Sequence, residues 1–171
     1  MSNELSIVPL NNDPRDLEIV AAWLFGEWGH LEAGRSLEET LERLRQRADR
    51  TKPPLTLVAM ANDRPVGTAS LTPWDMRTRP DLSPWLSSVF VDPESRGYGV
   101  GSRLVNAIEE TARDLAIPTL YLFTPDRENF YRRLGWETME WCEYRGEKVV
   151  LMRKHTGALL LNAGADTIRV L

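Results

Sequence analysis

The sequence has 171 residues, of which 42% are hydrophobic and 27% are charged, and its formal net charge is −4. This length suits one globular domain, and no apolar run reaches the ~18 residues that a bilayer span needs, so we expect no membrane partner. The negative balance gives no general attraction to phosphate backbones, and we expect no nucleic-acid partner either.

The N-terminal stretch, residues 1–14, has neither the basic start nor the apolar segment of a secretion signal. Cys142 is the only cysteine, which excludes an internal disulfide and suits a reducing compartment. Both features predict a cytoplasmic location.

The N-terminal part of the chain predicts a strand followed by two helices. Residues 5–10, LSIVPL, alternate as a strand does. An aspartate cap and a proline at the first helical position predict a helix from Pro14 to about Trp28. The spacing of Ser36 and Glu39 is that of a capping box, which starts the second helix.

The remaining chain predicts a hairpin, a crossover unit and a second hairpin. The first hairpin pairs residues 55–61 with residues 66–71. A strand at 85–91, a glycine turn, a helix with a regular apolar face and a strand at 119–125 suit a parallel crossover. A short helix then ends at Gly135, and the last hairpin surrounds the turn RGEK.

This order of elements, β-α-α-β-β-β-α-β-α-β-β, indicates the fold class. It predicts an α/β protein with a central mixed sheet of about seven strands flanked by about four helices. We expect residues 1–154 to form a single domain. The tail, residues 155–171, has no clear period and receives no assignment.

The glycine turn, residues 96–101 (RGYGVG), places one arginine and three glycines between a strand and a helix. A dinucleotide fingerprint would need a third glycine where Ser102 stands, and a nucleoside-triphosphate loop would need a lysine after Gly101. What remains is Arg-x-x-Gly-x-Gly, whose glycines let backbone amides approach a pyrophosphate at a helix N-terminus. The simpler alternative is a turn whose glycines only tighten the strand-to-helix connection.

Two segments carry a family resemblance, VFVDPESRGYGVGSRLV (89–105) and LYLFTPDRENFYRRLGWE (120–137). The first resembles the acyl-CoA pyrophosphate loop of GNAT-type N-acetyltransferases, and the second resembles the final motif of the same family. The predicted strand order is also similar to that of the family. The resemblance implies a GNAT-like fold, acetyl-CoA as co-substrate and transfer of an acetyl group to an amine.

The resemblance also implies roles for individual residues. Backbone groups of Phe90 and Val91 would pair with the pantetheine arm of acetyl-CoA, and Tyr131 would point at the thioester sulfur. The pyrophosphate would be held by the amides of Arg96, Gly97, Tyr98, Gly99, Val100, Gly101 and Ser102. The chain departs from the family where Thr124 replaces an asparagine that contacts the cofactor, and Asn129 is the residue that could substitute for it.

Acetyl transfer from sulfur to an amine needs an unprotonated amine, a stabilised oxyanion and a proton for the thiolate. Tyr131 is a chemically sensible general acid, although an aromatic packing role is the alternative. A backbone N–H near Val91 could stabilise the oxyanion. Glu27, His30 and Asp75 compete as the proton acceptor, and we take Glu27 as the catalytic candidate.

The acceptor is less defined than the co-substrate. Trp28 and Trp74 would flank the acceptor cleft as an aromatic wall. A cationic acceptor, either a small-molecule amine or a peptide N-terminus, is suggested by the acidic residues expected near this cleft: Glu27, Glu32, Asp75 and Asp81. A homodimer through the last hairpin or the tail stays open. The alternative function is a non-catalytic module that binds acyl-CoA as a sensor or scaffold.

Overall fold

The computed structural model describes residues 4–158. Within this range the strands are β1 (Ser6–Pro9), β2 (Leu55–Ala61), β3 (Arg64–Thr72), β4 (Trp85–Val91), β5 (Thr119–Thr124), β6 (Glu137–Tyr144) and β7 (Glu147–His155). The α-helices are α1 (Pro14–Trp28), α2 (Leu37–Arg45), α3 (Val100–Asp114) and α4 (Glu128–Arg133). The predicted mixed sheet of seven strands with four helices is confirmed.

Local sequence signals fix where the first two helices begin. The Asp13 side chain accepts a hydrogen bond from the Arg15 N–H at 2.9 Å and caps α1. At α2, the Glu39 N–H donates to Ser36 Oγ at 3.1 Å, and the Ser36 N–H donates back to the Glu39 carboxylate at 3.3 Å. Both ends of this capping box are therefore satisfied, as the sequence predicts.

The two faces of the sheet carry separate cores. Side chains of a strand alternate between faces, and in β2 Leu57 packs with the cluster under α3 whereas Val58 packs with the cluster under α1 and α2. Helix α3 buries an apolar stripe that includes Leu104 and Ile108. The crossover helix α3 and the N-terminal helices therefore cover opposite faces.

The strands lie in the order β1-β2-β3-β4-β5-β7-β6. All neighbours are antiparallel except β4 and β5, which are parallel and joined through α3 as predicted for residues 85–125. Their register contains a single pair, Trp85 with Tyr121. Beyond that pair the two strands diverge, which opens a gap in the middle of the sheet at their carboxyl ends.

A third cluster anchors the long loop between β3 and β4. It combines Met76 and Leu82 of this loop with Trp85 and with Tyr144 from the β6–β7 hairpin. The indole N–H of Trp85 donates to the Leu82 carbonyl at 2.8 Å, and the Tyr144 hydroxyl accepts the Arg77 N–H at 3.2 Å. The loop is thereby held against the gap.

Strand β7 ends at His155, one residue beyond the limit expected for the domain. The next residue, Thr156, is buried, and its N–H and hydroxyl donate to the carbonyls of Pro118 and Ile117 at 2.9 and 2.5 Å. Of the tail without a predicted structure, residues 159–171 lie outside the described residues.

Candidate active site

The gap between β4 and β5 opens into a cleft of about 1180 Å³. One end is lined by the glycine turn and the start of α3. The other end is lined by the segments after α1 and α2, the β3–β4 loop and the β6–β7 turn. The volume is slightly above the usual range for a small-ligand pocket, so this cleft has room for two reactants end to end.

The glycine turn presents backbone toward the cleft. Gly97 and Gly99 have φ angles of 84° and 78°, in the left-handed region, and a Cβ added to either would meet no protein atom within 4 Å. Gly99 is the N-cap of α3 and offers no side-chain cap, so the first amides of this fifteen-residue helix stay available. Free amides and the helix dipole form an anion site that suits a pyrophosphate.

Gly101 lies where three elements meet. A Cβ at Gly101 would be 3.4 Å from Phe130 Cζ of α4 and 3.6 Å from Val91 Cγ2 of β4. Val100, the first residue of α3, is buried, whereas Ser102 is half-buried and Tyr98 is 81% exposed. The turn thus combines a packed underside with an exposed rim.

Arg96 spans the mouth of the gap. Its Nε donates to the Val91 carbonyl at 3.0 Å, and its guanidinium carbon lies 5.6 Å from the centre of the Phe90 ring. The exposed guanidinium is at the rim of the same turn, within the lining of the cleft. The same guanidinium could donate hydrogen bonds to a phosphate bound at this rim.

The backbone of Val91 faces the gap, with its carbonyl held by Arg96 Nε, whereas the backbone of Phe90 is paired with β3. The Asp92 N–H donates to Val66 of β3 at 3.0 Å, and Phe90 is in register with Thr68 of the same strand. Because backbone groups alternate between the two edges, those of Val91 point into the gap and those of Phe90 point to β3. Pairing of the Phe90 backbone with the co-substrate arm, which the resemblance implies, is not what this register offers.

A β-bulge interrupts β4 just before the residues that face the gap. Ser88 and Val89 together face Ala69 of β3, and Ser88 has a φ of 54°. Both bulge residues line the cleft. A bulge disrupts the ladder locally and bends the strand, which matches the point where β4 leaves β5.

Tyr131 lies on α4 with its ring packed between Phe130 and Trp136, at centroid distances of 5.0 and 6.0 Å. Only 8% of the residue is exposed, and it lines the cleft. Burial raises the pKa of Tyr131 above its ordinary value. The phenol is therefore protonated at neutral pH, as an acid must be.

A partly buried ion pair supports the end of α4. Glu109 of α3 accepts from the Trp136 indole at 2.9 Å and from Lys154 Nζ at 2.6 Å, and Lys154 also donates to the Leu134 carbonyl. This network fixes the residues directly after Tyr131. The local sequence around Glu109 contains no pattern that predicts this network.

The position of Asn129 does not support its predicted role as a substitute for the asparagine of the family. Asn129 is exposed on α4 and is not among the residues that line the cleft. Thr124 does line the cleft, but its hydroxyl accepts the Arg127 N–H at 3.1 Å and shapes the turn before α4.

Of the predicted proton acceptors, Glu27 and His30 are exposed at the end of α1 and line the cleft. Asp75 is half-buried, and its pKa is raised to about 6. Burial is the main cause, and the charges of Arg47 and Arg145 oppose it. A carboxylate with this pKa can take up a proton near neutral pH.

Arginines offset the acidic residues at this end. Glu32 contacts the guanidinium groups of Arg35, Arg145 and Arg43 at 2.6, 3.2 and 3.4 Å. Asp81 does not line the cleft and pairs with Arg79 at 2.9 Å. Two of the four acidic residues, Glu32 and Asp81, therefore add no unpaired negative charge to the cleft, whereas Glu27 and Asp75 line it without a salt bridge among residues 4–158.

The aromatic wall is only partly formed. Trp28 is half-buried, with its ring 6.4 Å from that of Phe90, whereas Trp74 is 73% exposed on the β3–β4 loop. Both line the cleft. Among residues 4–158 no cluster of three or more histidine, cysteine, aspartate or glutamate side chains suits a metal ion, and no helix has the length and apolar character of a membrane span.

Residues 17–136 match the model of the Acetyltransferase (GNAT) family. The chain belongs to the GNAT acetyltransferase family. An N-acetyltransferase of Bacillus subtilis (strain 168), named S-alkylcysteine N-acetyltransferase, is 36% identical over 89 residues, which is 48% of this chain and 50% of that protein. The chain thus spans about half the length of this curated relative.

Solved structures share the GNAT fold at low identity. An aminoglycoside 6'-acetyltransferase type Ii has a TM-score of 0.70 and 22% identity, over 88% of this chain and 97% of its own. A GNAT acetyltransferase from Streptococcus pneumoniae has a TM-score of 0.66 and 23% identity, over 89% and 99%. An aminoglycoside 6'-N-acetyltransferase complexed with coenzyme A has a TM-score of 0.69 and 19% identity, over 88% and 97%. These likenesses establish the fold alone.

Proposed function

We propose that this protein is an acetyl-CoA-dependent N-acetyltransferase that acetylates a primary amine by direct attack. One observation carries the proposal: the gap between β4 and β5, the amides at the start of α3 and the buried Tyr131 all line a single cleft. The GNAT family and the N-acetyltransferase name of its Bacillus relative support the reaction class. We propose that residues 1–154 make up the catalytic domain.

Binding of acetyl-CoA would use backbone on both sides of the turn. The pantetheine arm would add to the open edge of β4 at Val91, as an extra strand adds to a sheet. The pyrophosphate would lie on the amides of residues 97–102, with Arg96 at the rim. The thioester would then enter the gap next to Tyr131.

The chemistry follows from this placement. The neutral amine nitrogen attacks the thioester carbonyl, and a backbone N–H of the β4 bulge next to Val91, at Ser88 or Val89, stabilises the oxyanion. The carbon–sulfur bond breaks, and the phenol of Tyr131 gives its proton to the leaving thiolate. The raised pKa of Tyr131 would oppose this step in water. In the same apolar gap the thiolate is desolvated too, so its own affinity for a proton rises as well.

The attacking nitrogen must also lose a proton. Asp75 suits this role better than the exposed Glu27, because Asp75 is half-buried in the cleft; its pKa of about 6 lets it take up a proton near neutral pH. Exposed Glu27 and His30 would then pass the proton to solvent. In this mechanism no acetyl-enzyme intermediate forms.

The first test is binding. Acetyl-CoA at about 100 times its dissociation constant adds roughly 2.7 kcal/mol to the free energy of unfolding, and each kcal/mol moves the midpoint of a chain this size by about 2–4 °C. We expect a rise of several degrees with acetyl-CoA and none with NAD or ATP. No rise would contradict the proposed pyrophosphate site.

The second test is transfer. Release of the CoA thiol in the presence of a primary amine, with the product detected by mass, would establish the reaction. Binding of acetyl-CoA without transfer to any amine of a broad panel would instead favour the sensor or scaffold module.

A further inference from the structure

We infer that the amine acceptor of this site also carries a carboxylate, and that Arg47 binds it. The inference rests on the proposed N-acetyltransferase function and specifies its acceptor. It is carried by the charged side chains that close the end of the cleft opposite the glycine turn.

Arg47 places a guanidinium in the wall of the cleft without a carboxylate partner among the described residues. It follows α2, is half-buried and lines the cleft. Across residues 4–158, no carboxylate oxygen lies within 4.0 Å of its guanidinium. Partial burial disfavours the charged form of a guanidinium, and burial lowers the pKa of Arg47 below its ordinary value. An anion that enters the cleft would offset this cost by pairing with the guanidinium.

The surrounding charges reinforce this reading. Glu32 is shared by Arg35, Arg43 and Arg145, so one carboxylate serves three guanidinium groups. The Nε atom of Arg35 is buried and has no hydrogen-bond partner in the described part of the chain. With Arg47 added, the cluster has more cations than anions, and a bound carboxylate would reduce the excess.

Asp75 supplies the carboxylate that would face the ammonium group of the acceptor. Its charge and that of Arg47 influence each other, yet the two groups are not in an ion pair. An acceptor with an ammonium group facing Asp75 and a carboxylate facing Arg47 would match both groups at once. Glu27, Arg77 and Glu147 line the same end and make no ion pair with this cluster.

Guanidinium is well suited to this task. Its planar array of N–H donors matches a carboxylate with two parallel hydrogen bonds, which a lysine ammonium cannot reproduce. The acceptor class that fits is an amino acid or another small amino-carboxylate, and a polyamine does not fit.

The test compares matched acceptors. Leucine and S-methylcysteine are each assayed beside their carboxamides and their decarboxylated amines, with acetyl-CoA saturating. We expect kcat/KM to be at least tenfold higher for the free carboxylates. The amides have less basic amines and are chemically easier to acetylate, so such a preference must come from recognition.

Substitutions assign the preference to Arg47. Arg47→Gln should raise KM for the carboxylate acceptors about tenfold or more with little change in kcat, and should leave the decarboxylated amines unaffected. Arg47→Lys keeps the charge and should recover part of the loss. Arg45→Gln is the matched control on α2, since Arg45 pairs with Glu42 at 3.7 Å and does not line the cleft. Equal use of all three acceptor forms by the wild type, or an unchanged preference in Arg47→Gln, would overturn the inference while leaving the N-acetyltransferase function intact.

A binding readout separates this inference from the proposed function. Titration of the CoA complex with leucine, followed by tryptophan fluorescence, should show saturation in the wild type and in Arg45→Gln but not in Arg47→Gln. If that pattern appears without acetylation of any amine, the carboxylate site stands and the proposed function fails. If leucine does not bind to the folded wild type, the carboxylate site is wrong.

Discussion

The two ends of the cleft are built in different ways. The co-substrate end comes from one continuous stretch, residues 89–102, and uses mainly backbone amides and an open strand edge. The acceptor end collects Glu32, Arg47, Asp75 and Arg145 from four separate segments of the chain. Backbone recognition needs glycines at fixed positions and leaves a motif in the sequence. Side-chain recognition needs only that distant segments meet, and it leaves none.

The sharpest test of this division is the point where the ends meet, Tyr131. Tyr131→Phe removes the proposed acid, and general acids contribute about 100-fold or more to rate. We expect kcat to fall by that factor while KM for acetyl-CoA and for the amine stays nearly constant, as measured by initial rates. Tyr121→Phe, on β5 and outside the cleft lining, should keep its activity. Unchanged kcat across the pH range would remove Tyr131 from the acid role.

Asp75 tests the acceptor end through pH. Its pKa in the folded protein is about 6, above the ordinary value of 3.8, so the folded state binds this proton more tightly than the unfolded state. The contribution of Asp75 to the free energy of unfolding therefore falls as pH rises from about 4 to 6. Each pKa unit corresponds to about 1.4 kcal/mol, so the full effect is up to roughly 3 kcal/mol.

Denaturant unfolding of the wild type and Asp75→Asn at several pH values measures this effect. We expect the variant to gain stability relative to the wild type as pH rises through the same window. Asp81→Asn should show the opposite sign and only below about pH 4, since the hydrogen bond from Arg79 lowers the pKa of Asp81 below 3.8 and makes its charged form stabilising. A difference between wild type and Asp75→Asn that is independent of pH would show that Asp75 has an ordinary pKa.

Gly99 tests the co-substrate end by itself. A Cβ at Gly99 touches no protein atom, but the left-handed φ of 78° strains an alanine by roughly 1–2 kcal/mol. Because the added methyl group also points into the open turn, we expect Gly99→Ala to weaken acetyl-CoA binding about tenfold in calorimetry, and to leave KM for the amine unchanged. Gly157→Ala has a similar φ of 75° and open surroundings away from the cleft. An equal loss of affinity in both variants would mean that strain alone is responsible.

The smallest effect is expected at Cys142. This thiol is half-buried on β6, does not line the cleft, and has a pKa raised by burial and by Glu140. Cys142→Ser should therefore leave kcat and both KM values within about a factor of two, as measured by initial rates. A large loss of activity would point to an acetyl-thiol intermediate that the cleft geometry does not provide.

Much of the fold follows from local signals. Asp13, Ser36 and Glu39 predict where helices begin, and the apolar period of α3 predicts its buried face. The glycine turn was equally visible, because positive φ angles at Gly97 and Gly99 restrict the residue type.

Other features needed the tertiary structure. The bulge at Ser88 and the register with β3 decide that the backbone of Val91, and not that of Phe90, points into the gap. Acidic residues near the cleft suggested a cationic acceptor, but Arg145 reaches Glu32 across 113 positions of the sequence. An ion pair between residues this far apart leaves no pattern in the sequence near either residue.

The most direct test of direct transfer within one cleft is a set of initial rates with acetyl-CoA and the amine varied together. The proposed mechanism predicts intersecting lines in double-reciprocal plots, because both substrates must be bound before the acetyl group moves from sulfur to nitrogen. Parallel lines would mean that the acetyl group leaves acetyl-CoA before the amine arrives, and would contradict the account.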